Sequence, residues 1–121
     1  MVKFFKNIFD TIFQRKPLVT VIKMNGIIGT SGFGRSRINY ESLESIINKA
    51  FGERRIKAVS IIINSPGGSP VQSSLIFKRI RYLADKKDIP VLVFVEDVAA
   101  SGGYWLACAG DEIYADQSSI I

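Results

Sequence analysis

The segment VEDVAASGGYWLACAG, residues 95–110, places one hydroxyl group among residues that have almost no side chain. Ser101 follows two alanines and precedes Gly102 and Gly103. Small residues let a second molecule approach the backbone closely, and a serine hydroxyl there can act as the nucleophile of an acyl transfer. A second run of small and turn-forming residues, NSPGGSP, occupies residues 64–70. The two runs can form one site if the fold brings them together.

Both runs lie where a predicted strand gives way to a predicted helix. Continuous apolar segments at residues 58–63 and 91–95 are typical of buried strands, and the apolar spacing over residues 71–84 is that of a helix. A strand, a helix and a second strand of this kind form a parallel pair, so the sequence predicts a layered α/β fold with parallel strands and crossover helices. Parallel strands end at the same edge of a sheet, where such folds bind ligands. Both runs are therefore expected at one edge.

Shorter patterns complete the predicted fold. Branched residues predict a first strand at residues 18–24, and Asn39 is a candidate cap for a helix that ends near Gly52. Residues 102–109 are expected to form a helix and residues 112–115 a short strand. The side chains expected to face inward are Leu43, Ile46, Ile47, Ala50 and Phe51 on the helix after Asn39, Leu75, Ile76, Ile80 and Leu83 on the helix over 71–84, and Cys108 on the last helix.

Acyl transfer suits this arrangement because unhindered backbone N–H groups can bind the negative charge that develops on a carbonyl oxygen. On the residues alone, Ser101 could also be only a helix cap, and PGG only a turn. The sequence has no histidine, so residues 1–121 cannot supply a Ser-His-Asp triad or a histidine-based metal site. The acids are dispersed and Cys108 is the single cysteine, so we predict no metal, no cofactor and no internal disulfide. The glycines of segment 25–37, predicted to be a loop, do not match a dinucleotide-binding fingerprint.

Charge is unevenly distributed along the chain. The net charge is +5, with 16 basic and 11 acidic residues; all the basic residues lie before residue 96, and five of the acids lie after residue 95. The basic residues are predicted on solvent-facing helix surfaces. Aromatic side chains are not interleaved with them in the manner of a nucleic-acid platform, so the sequence predicts no nucleic-acid partner.

Residues 1–16, MVKFFKNIFDTIFQRK, form a separate segment with the spacing of an amphipathic helix. The segment is too short and too interrupted by charge to span a bilayer, and it lacks the continuous apolar stretch and cleavage site of a secretory signal. Three interpretations stay open: the helix docks on its own domain, contacts another subunit, or lies in a membrane interface. The apolar stripe consists of Phe4, Phe5, Ile8, Phe9, Ile12 and Phe13, and the basic residues off it are Lys3, Lys6, Arg15 and Lys16.

Two segments together resemble a known family: INSPGGSP at residues 63–70 and DVAASGGYWLACAGDEIYAD at residues 97–116. They are similar to the signal peptide peptidase A (SppA) family of serine peptidases, and the resemblance extends from about residue 18 to the last residue. It implies a crotonase-like and Clp-protease-like fold. It also implies hydrolysis of peptide bonds by a Ser/Lys dyad, in remnant signal peptides or other membrane-associated substrates, by a homo-oligomer shaped as a ring or dome.

By this resemblance, Ser101 corresponds to the family's nucleophile, and the backbone N–H groups of Gly68 and Gly102 correspond to its oxyanion hole. The general base departs from the pattern, because the family's lysine lies well downstream of the serine or in a preceding repeat, and no lysine of this sequence matches either position. The final residues, ADQSSII, resemble the opening of a family segment that continues further. The sequence is therefore interpreted as a helix over 1–16 and an incomplete peptidase domain over 17–121.

The predicted function is that of a serine endopeptidase of the SppA type whose lysine base is missing from these residues, acting at the bacterial inner-membrane surface or in the cytoplasm. The chief alternative is an inactive, truncated or decayed peptidase that serves as a non-catalytic, membrane-associated protein. A crotonase-type acyl-coenzyme A enzyme would share the fold and the backbone donors without needing Ser101 as a nucleophile. A Clp-type protease would need a downstream histidine and a partner ATPase.

Overall fold

The computed structural model describes residues 1–13, 16–30 and 36–121. In chain order, the helices and strands are α1 (Val2–Phe13), β1 (Leu18–Asn25), β2 (Ile27–Ile28), β3 (Ser36–Ile38), α2 (Tyr40–Gly52), β4 (Ile56–Ser65), α3 (Pro70–Lys87), β5 (Val91–Ala99), α4 (Gly102–Ala107) and β6 (Glu112–Ala115). The strands predicted at 58–63 and 91–95 are confirmed, and both extend further toward the two runs of small residues.

The main sheet has the strand order β1-β4-β5-β6, and each neighbouring pair in it is parallel. The short strands β2 and β3 form a second parallel pair. The predicted α/β fold with parallel strands and connecting helices is therefore confirmed. Since β4 and β5 are parallel neighbours, their carboxyl ends lie side by side, and Ser65 pairs with Ala99 there. The two runs of small residues begin at these adjacent strand ends.

The central strands supply most of the apolar core. Val59, Ile61 and Ile63 of β4 are fully buried, and they share one core with Ile47 of α2 and Ile76 of α3. Burial of one such side chain contributes about 1.5–3 kcal/mol relative to leaving it exposed. Strands that are apolar along their length are expected where helices pack on a parallel sheet. The core therefore fixes the register of β4, which in turn places the turn that follows it.

Helices α2 and α3 each begin at a polar cap, of which Asn39 was predicted from the sequence and Ser69 was not. The side chain of Asn39 accepts a hydrogen bond from the backbone N–H of Ser42 at 2.9 Å, which confirms Asn39 as the cap of α2. At the start of α3, Ser69 accepts a bond from the N–H of Gln72 at 3.3 Å, and Pro70 occupies the first turn. The run NSPGGSP thus contains both the turn after β4 and the start of α3.

Two side chains predicted to face inward are exposed in the structure. Ile46 is 48% exposed and Leu75 is 42% exposed. The apolar spacing around each of them offers two neighbouring positions that could face the core, and the helix can bury only one of them. In both helices the second position, Ile47 and Ile76, is the one that is buried.

Two further predictions are corrected near the turns. Cys108 was expected on a buried helix face, but it is exposed, because α4 ends at Ala107 and Cys108 lies one residue beyond the last helical position. Segment 25–37 was expected to be a loop, but it contains β2 and the first two residues of β3. The glycines Gly32 and Gly34 of that segment lie outside the described residues. The backbone of β2 contacts the turn after β4.

Candidate active site

Ser101 connects β5 to α4 in an unusual backbone conformation. Its φ is 53° and its ψ is −122°, a region that residues other than glycine rarely occupy. Holding a residue there costs on the order of 1–3 kcal/mol, and such strain is concentrated at functional sites. The Ser101 side chain makes no capping hydrogen bond to α4, and the residue is exposed. The serine therefore does not act as a helix cap, and its hydroxyl is presented outward on a sharp turn.

The turn after β4 needs its two glycines. Gly67 has a φ of 106° and Gly68 a φ of 149°. A Cβ atom added at Gly68 would lie 2.0 Å from the carbonyl oxygen of Ile28. The N–H of Ile28 donates to the carbonyl oxygen of Gly67 at 3.0 Å, and the N–H of Ser69 donates to that of Ile28 at 2.8 Å. In this parallel bridge the N–H of Gly68 itself points away from β2.

The turn after β4 and the turn after β5 touch. The N–H of Ala100 donates to the carbonyl oxygen of Ser65 at 3.1 Å. A Cβ atom added at Gly67 would lie 2.8 Å from Cβ of Ser101, and one added at Gly102 would lie 3.5 Å from the backbone nitrogen of Gly68. The structure therefore brings together the three residues that the sequence predicts for the site, Ser101, Gly68 and Gly102.

The backbone N–H groups of Gly68 and Gly102 have no hydrogen-bond partner within the described part of the chain. Gly68 is exposed, as is Ser101, while Gly102 is buried against the turn. An exposed hydroxyl beside two unpaired N–H groups suits acyl transfer, because the N–H groups can donate hydrogen bonds to the oxyanion of a tetrahedral intermediate.

Several residues that hold these turns were not singled out from the sequence. The side-chain amide of Asn64 donates to Oδ2 of Asp97 at 2.8 Å and accepts a bond from the N–H of Val98 at 3.3 Å. This links the carboxyl ends of β4 and β5 directly before both turns. The sequence did contain a signal for this link: Asn64 opens the run NSPGGSP, and Asp97 lies just before the small residues 99–103. The role of Ile28 left no such signal, because it acts through its backbone.

No lysine lies in either turn. The lysines with a described position lie in α1, α2, α3, β1 and β4, or at residue 16. Lys87, near the end of α3, donates from Nζ to the carbonyl oxygen of Phe51 at 2.9 Å. Within the ranges that the structure covers, no group of three or more His, Cys, Asp or Glu residues is arranged to hold a metal ion. The described residues thus place one exposed serine hydroxyl beside two unpaired backbone N–H groups.

Comparisons with known proteins identify a family. The sequence model of peptidase family S49 matches residues 84–121, which include Ser101 and the turn around it. A chloroplastic serine protease SPPA of Arabidopsis thaliana is 36% identical over 101 residues, which are 84% of this chain and 14% of that protein. A Brucella melitensis protein named as the Na⁺/H⁺ antiporter NhaA is 53% identical over 104 residues, which are 85% of this chain. They make up only 14% of that protein, so its name describes a much longer chain.

A solved structure shows the same fold. It is that of a membrane-bound stomatin-specific protease variant, which has a TM-score of 0.66 and 23% sequence identity, and the match covers 87% of this chain and 46% of the other. At this identity the likeness shows the fold, which is the Clp-protease-like α/β fold. The chain spans about a seventh of the length of the two sequence relatives named above, at 14% in each case. By the family match and the SppA relatives, the chain belongs to peptidase family S49, the family of signal peptide peptidase A.

Proposed function

We propose that Ser101 is the nucleophile of a serine peptidase of the SppA type, and that the N–H groups of Gly68 and Gly102 form its oxyanion hole. One observation carries the proposal. Ser101 is exposed, makes no capping hydrogen bond and lies on a strained turn that contacts the turn after β4. These two turns contain two backbone N–H groups without a hydrogen-bond partner in the described residues. Strain at an exposed serine between a strand and a helix is typical of a nucleophile elbow.

The reaction follows from this placement. Oγ of Ser101 attacks the carbonyl carbon of a peptide bond, and the carbonyl oxygen takes up negative charge as the new C–O bond forms. The two N–H donors stabilise that charge, and loss of one such donor typically costs about 3 kcal/mol of transition-state stabilisation. The C–N bond then breaks as the leaving nitrogen takes a proton. Water hydrolyses the resulting ester and restores the serine hydroxyl.

The proposal assigns the general base to a lysine outside residues 1–121. Its neutral amine would take the proton of the Ser101 hydroxyl and pass it to the leaving nitrogen. Without a base, the rate falls by roughly 10²- to 10⁴-fold. These 121 residues by themselves are therefore expected to react at Ser101 slowly, with a rate that rises with pH because hydroxide replaces the missing base.

The experiment is labelling with an alkyl fluorophosphonate, in which the Ser101 Oγ–P bond forms and fluoride leaves. We expect the label at Ser101 in peptide mass spectra, and faster labelling when a small primary amine is added in place of the lysine. The Ser101→Ala variant, which lacks the hydroxyl, should lose the label. Labelling spread evenly over the serines, or no effect of the amine at any pH, would contradict the proposal.

The same proposal covers substrates and assembly. Peptide substrates, such as remnants of signal peptides or other membrane-associated peptides, would reach the site at the bacterial inner-membrane surface or in the cytoplasm, and the protein would act as a homo-oligomer. Support comes from the family, and from a structural relative that is named as a membrane-bound protease specific for stomatin. Mass spectrometry of digested signal-peptide fragments, and light scattering of the purified protein, test the two parts separately.

The competing function is that of a non-catalytic, membrane-associated protein that retains a peptidase fold. One observation favours it, namely that no lysine within residues 1–121 matches the position of the family's general base. Fluorophosphonate labelling separates the two functions, since a decayed site has no reason to keep one serine more reactive than the others.

A further inference from the structure

The first helix exposes an apolar surface. In α1, Phe4 is 65% exposed, Phe5 is 64% exposed and Val2 is 83% exposed. The rings of Phe4 and Phe5 contact each other edge to face, with centroids 6.0 Å apart. Adjacent exposed phenylalanines on one short helix are unusual on a protein that makes no further contacts, because each leaves a large apolar area in water.

The side of α1 opposite this apolar surface carries basic residues. At 100° per residue, Lys3 and Lys6 lie on the side of α1 opposite Phe4, Phe5 and Ile8, and both lysines are exposed. The sequence continues with Arg15 and Lys16, and residues 1–16 include one acid, Asp10. A helix with one apolar face and a cationic face opposite it is amphipathic in the manner of helices that lie on anionic bilayers. The apolar face contacts the acyl chains, and the cationic face is attracted by the negative surface potential of the headgroups.

We propose that α1 binds the surface of an anionic membrane, with Phe4 and Phe5 inserted at the boundary between headgroups and acyl chains. Lys3 and Lys6 then lie on the water-facing side of the helix, within the negative surface potential of the lipid headgroups. The described residues contain no helix that is long and apolar enough to cross a bilayer. Because α1 has one apolar face and one charged face, the proposal places it in the plane of the interface. This inference is independent of the chemistry at Ser101.

Co-sedimentation with vesicles tests the lipid proposal. The full chain is mixed with vesicles of phosphatidylethanolamine and phosphatidylglycerol, or of phosphatidylcholine alone. We expect binding to the anionic vesicles at least tenfold tighter than to the neutral ones, and weaker binding in high salt. The double variant Phe4→Ser/Phe5→Ser should lose binding to both. The double variant Lys3→Gln/Lys6→Gln should lose about tenfold on anionic vesicles only.

The matched control is the double variant Lys78→Gln/Lys86→Gln, which removes two positive charges from exposed lysines of α3 and leaves α1 unchanged. This variant should bind like the original protein. Equal loss in the control would mean that binding follows net charge and not α1, which would overturn the proposal. So would a lipid-free dimer, detected by light scattering, that disappears in Phe4→Ser/Phe5→Ser while vesicle binding stays unchanged, since α1 would then bind a second copy.

A different observation concerns Ser65, which contacts both turns of the site. Ser65 is completely buried at the end of β4. Its Oγ accepts a hydrogen bond from the N–H of Gly67 at 3.1 Å, and its carbonyl oxygen accepts one from Ala100 at 3.1 Å. A Cβ atom added at Gly103 would lie 2.5 Å from that same carbonyl oxygen. Ser65 thus binds Gly67, which precedes Gly68, and Ala100, which precedes Ser101.

We infer that Ser65 is a positioning residue that sets the distance between the nucleophile and the oxyanion hole. This inference rests on the proposed function. The hydroxyl fixes the direction of the Gly67 peptide, and hence where the N–H of Gly68 points. The carbonyl group fixes the turn on which Ser101 stands. Loss of the hydroxyl alone should loosen the first turn and leave the second in place.

Amide hydrogen exchange and Ser101 labelling, measured together, test this role. In Ser65→Ala, we expect exchange at the N–H of Gly67 to rise about tenfold, while the core amides of β4 stay protected. Fluorophosphonate labelling of Ser101 should fall about tenfold in the same variant, and Ser65→Cys, which keeps a weak acceptor, should lie between. Ser60→Ala, a buried serine five residues earlier in the same strand, is the matched control and should change neither readout.

The outcomes separate the two proposals. Faster exchange of Gly67 without slower labelling would mean that the hydroxyl holds the turn but does not position the reaction, which overturns the inference. Unchanged exchange at Gly67 overturns it as well. If the original protein is not labelled at Ser101 under any condition, the proposed function fails, and exchange at Gly67 still decides whether Ser65 holds the turn.

Discussion

Replacement of Ser101 by glycine should stabilise the protein while removing its reactivity. Ser101 has a φ of 53° and a ψ of −122°, which glycine adopts without steric cost. Release of the backbone strain should raise the free energy of unfolding by roughly 1–3 kcal/mol, and the greater freedom of glycine in the unfolded chain should lower it by about 0.5–1 kcal/mol. The exposed Ser101 side chain makes no capping bond that would be lost. The expected net effect is a gain of about 1 kcal/mol in the free energy of unfolding.

Two matched variants make the comparison specific. Ser101→Ala removes the hydroxyl but keeps Cβ, so it keeps the strain and should unfold within about 0.5 kcal/mol of the original protein. Ser74→Gly makes the same substitution inside α3, where it should destabilise the helix by about 0.5 kcal/mol. The assay is urea denaturation followed by circular dichroism, supported by thermal melts, in which a gain of 1 kcal/mol corresponds to about 4 °C for a domain of this size. Destabilisation of Ser101→Gly to the extent of Ser74→Gly would refute the argument that the turn is strained.

Other substitutions test the turn, the core and a helix end. Gly68→Ala should cost about 1–3 kcal/mol and abolish labelling of Ser101, because its Cβ would lie 2.0 Å from the carbonyl oxygen of Ile28; urea denaturation within 0.5 kcal/mol of the original would contradict this. Ile61→Ala should cost about 2–5 kcal/mol, since Ile61 is completely buried in the central strand; a denaturation midpoint close to the original would mean that β4 is not the centre of the core. Asp88→Gly should raise the free energy of unfolding by roughly 0.5–1 kcal/mol, because Asp88 ends α3 in the left-handed conformation with a φ of 52°; a lower melting temperature would show that its side chain contributes more than its backbone costs.

The parts of the fold that could be predicted are those set by local pattern. The apolar runs of β4 and β5 and the helix between them determine a parallel pair, and this alone places both runs of small residues at one edge. The cap at Asn39 is likewise a local signal, and the structure confirms it. The exposed positions Ile46 and Leu75 could not be separated from their buried neighbours, because the spacing allows either to face inward.

The details of the site depend on contacts between distant segments. The sequence indicates that Ser101 and Gly68 lie near each other, but not that Ile28 bridges the turn, since that bridge uses backbone atoms of a segment that looked like a loop. Nor does it show that Ser65 reaches both turns, because a buried serine has no pattern that distinguishes it from a serine in any strand. The positive φ of Ser101 is a property of the assembled turn, where the small residues around it make the conformation possible.

The most direct test of the central claim is a crystal structure of the protein after its reaction with a fluorophosphonate. We predict phosphorus bonded to Oγ of Ser101, with one phosphoryl oxygen about 2.7–3.1 Å from the backbone nitrogens of both Gly68 and Gly102. Phosphorus on another residue, or a phosphoryl oxygen on Ser101 that is turned toward solvent and out of reach of both nitrogens, would contradict the claim.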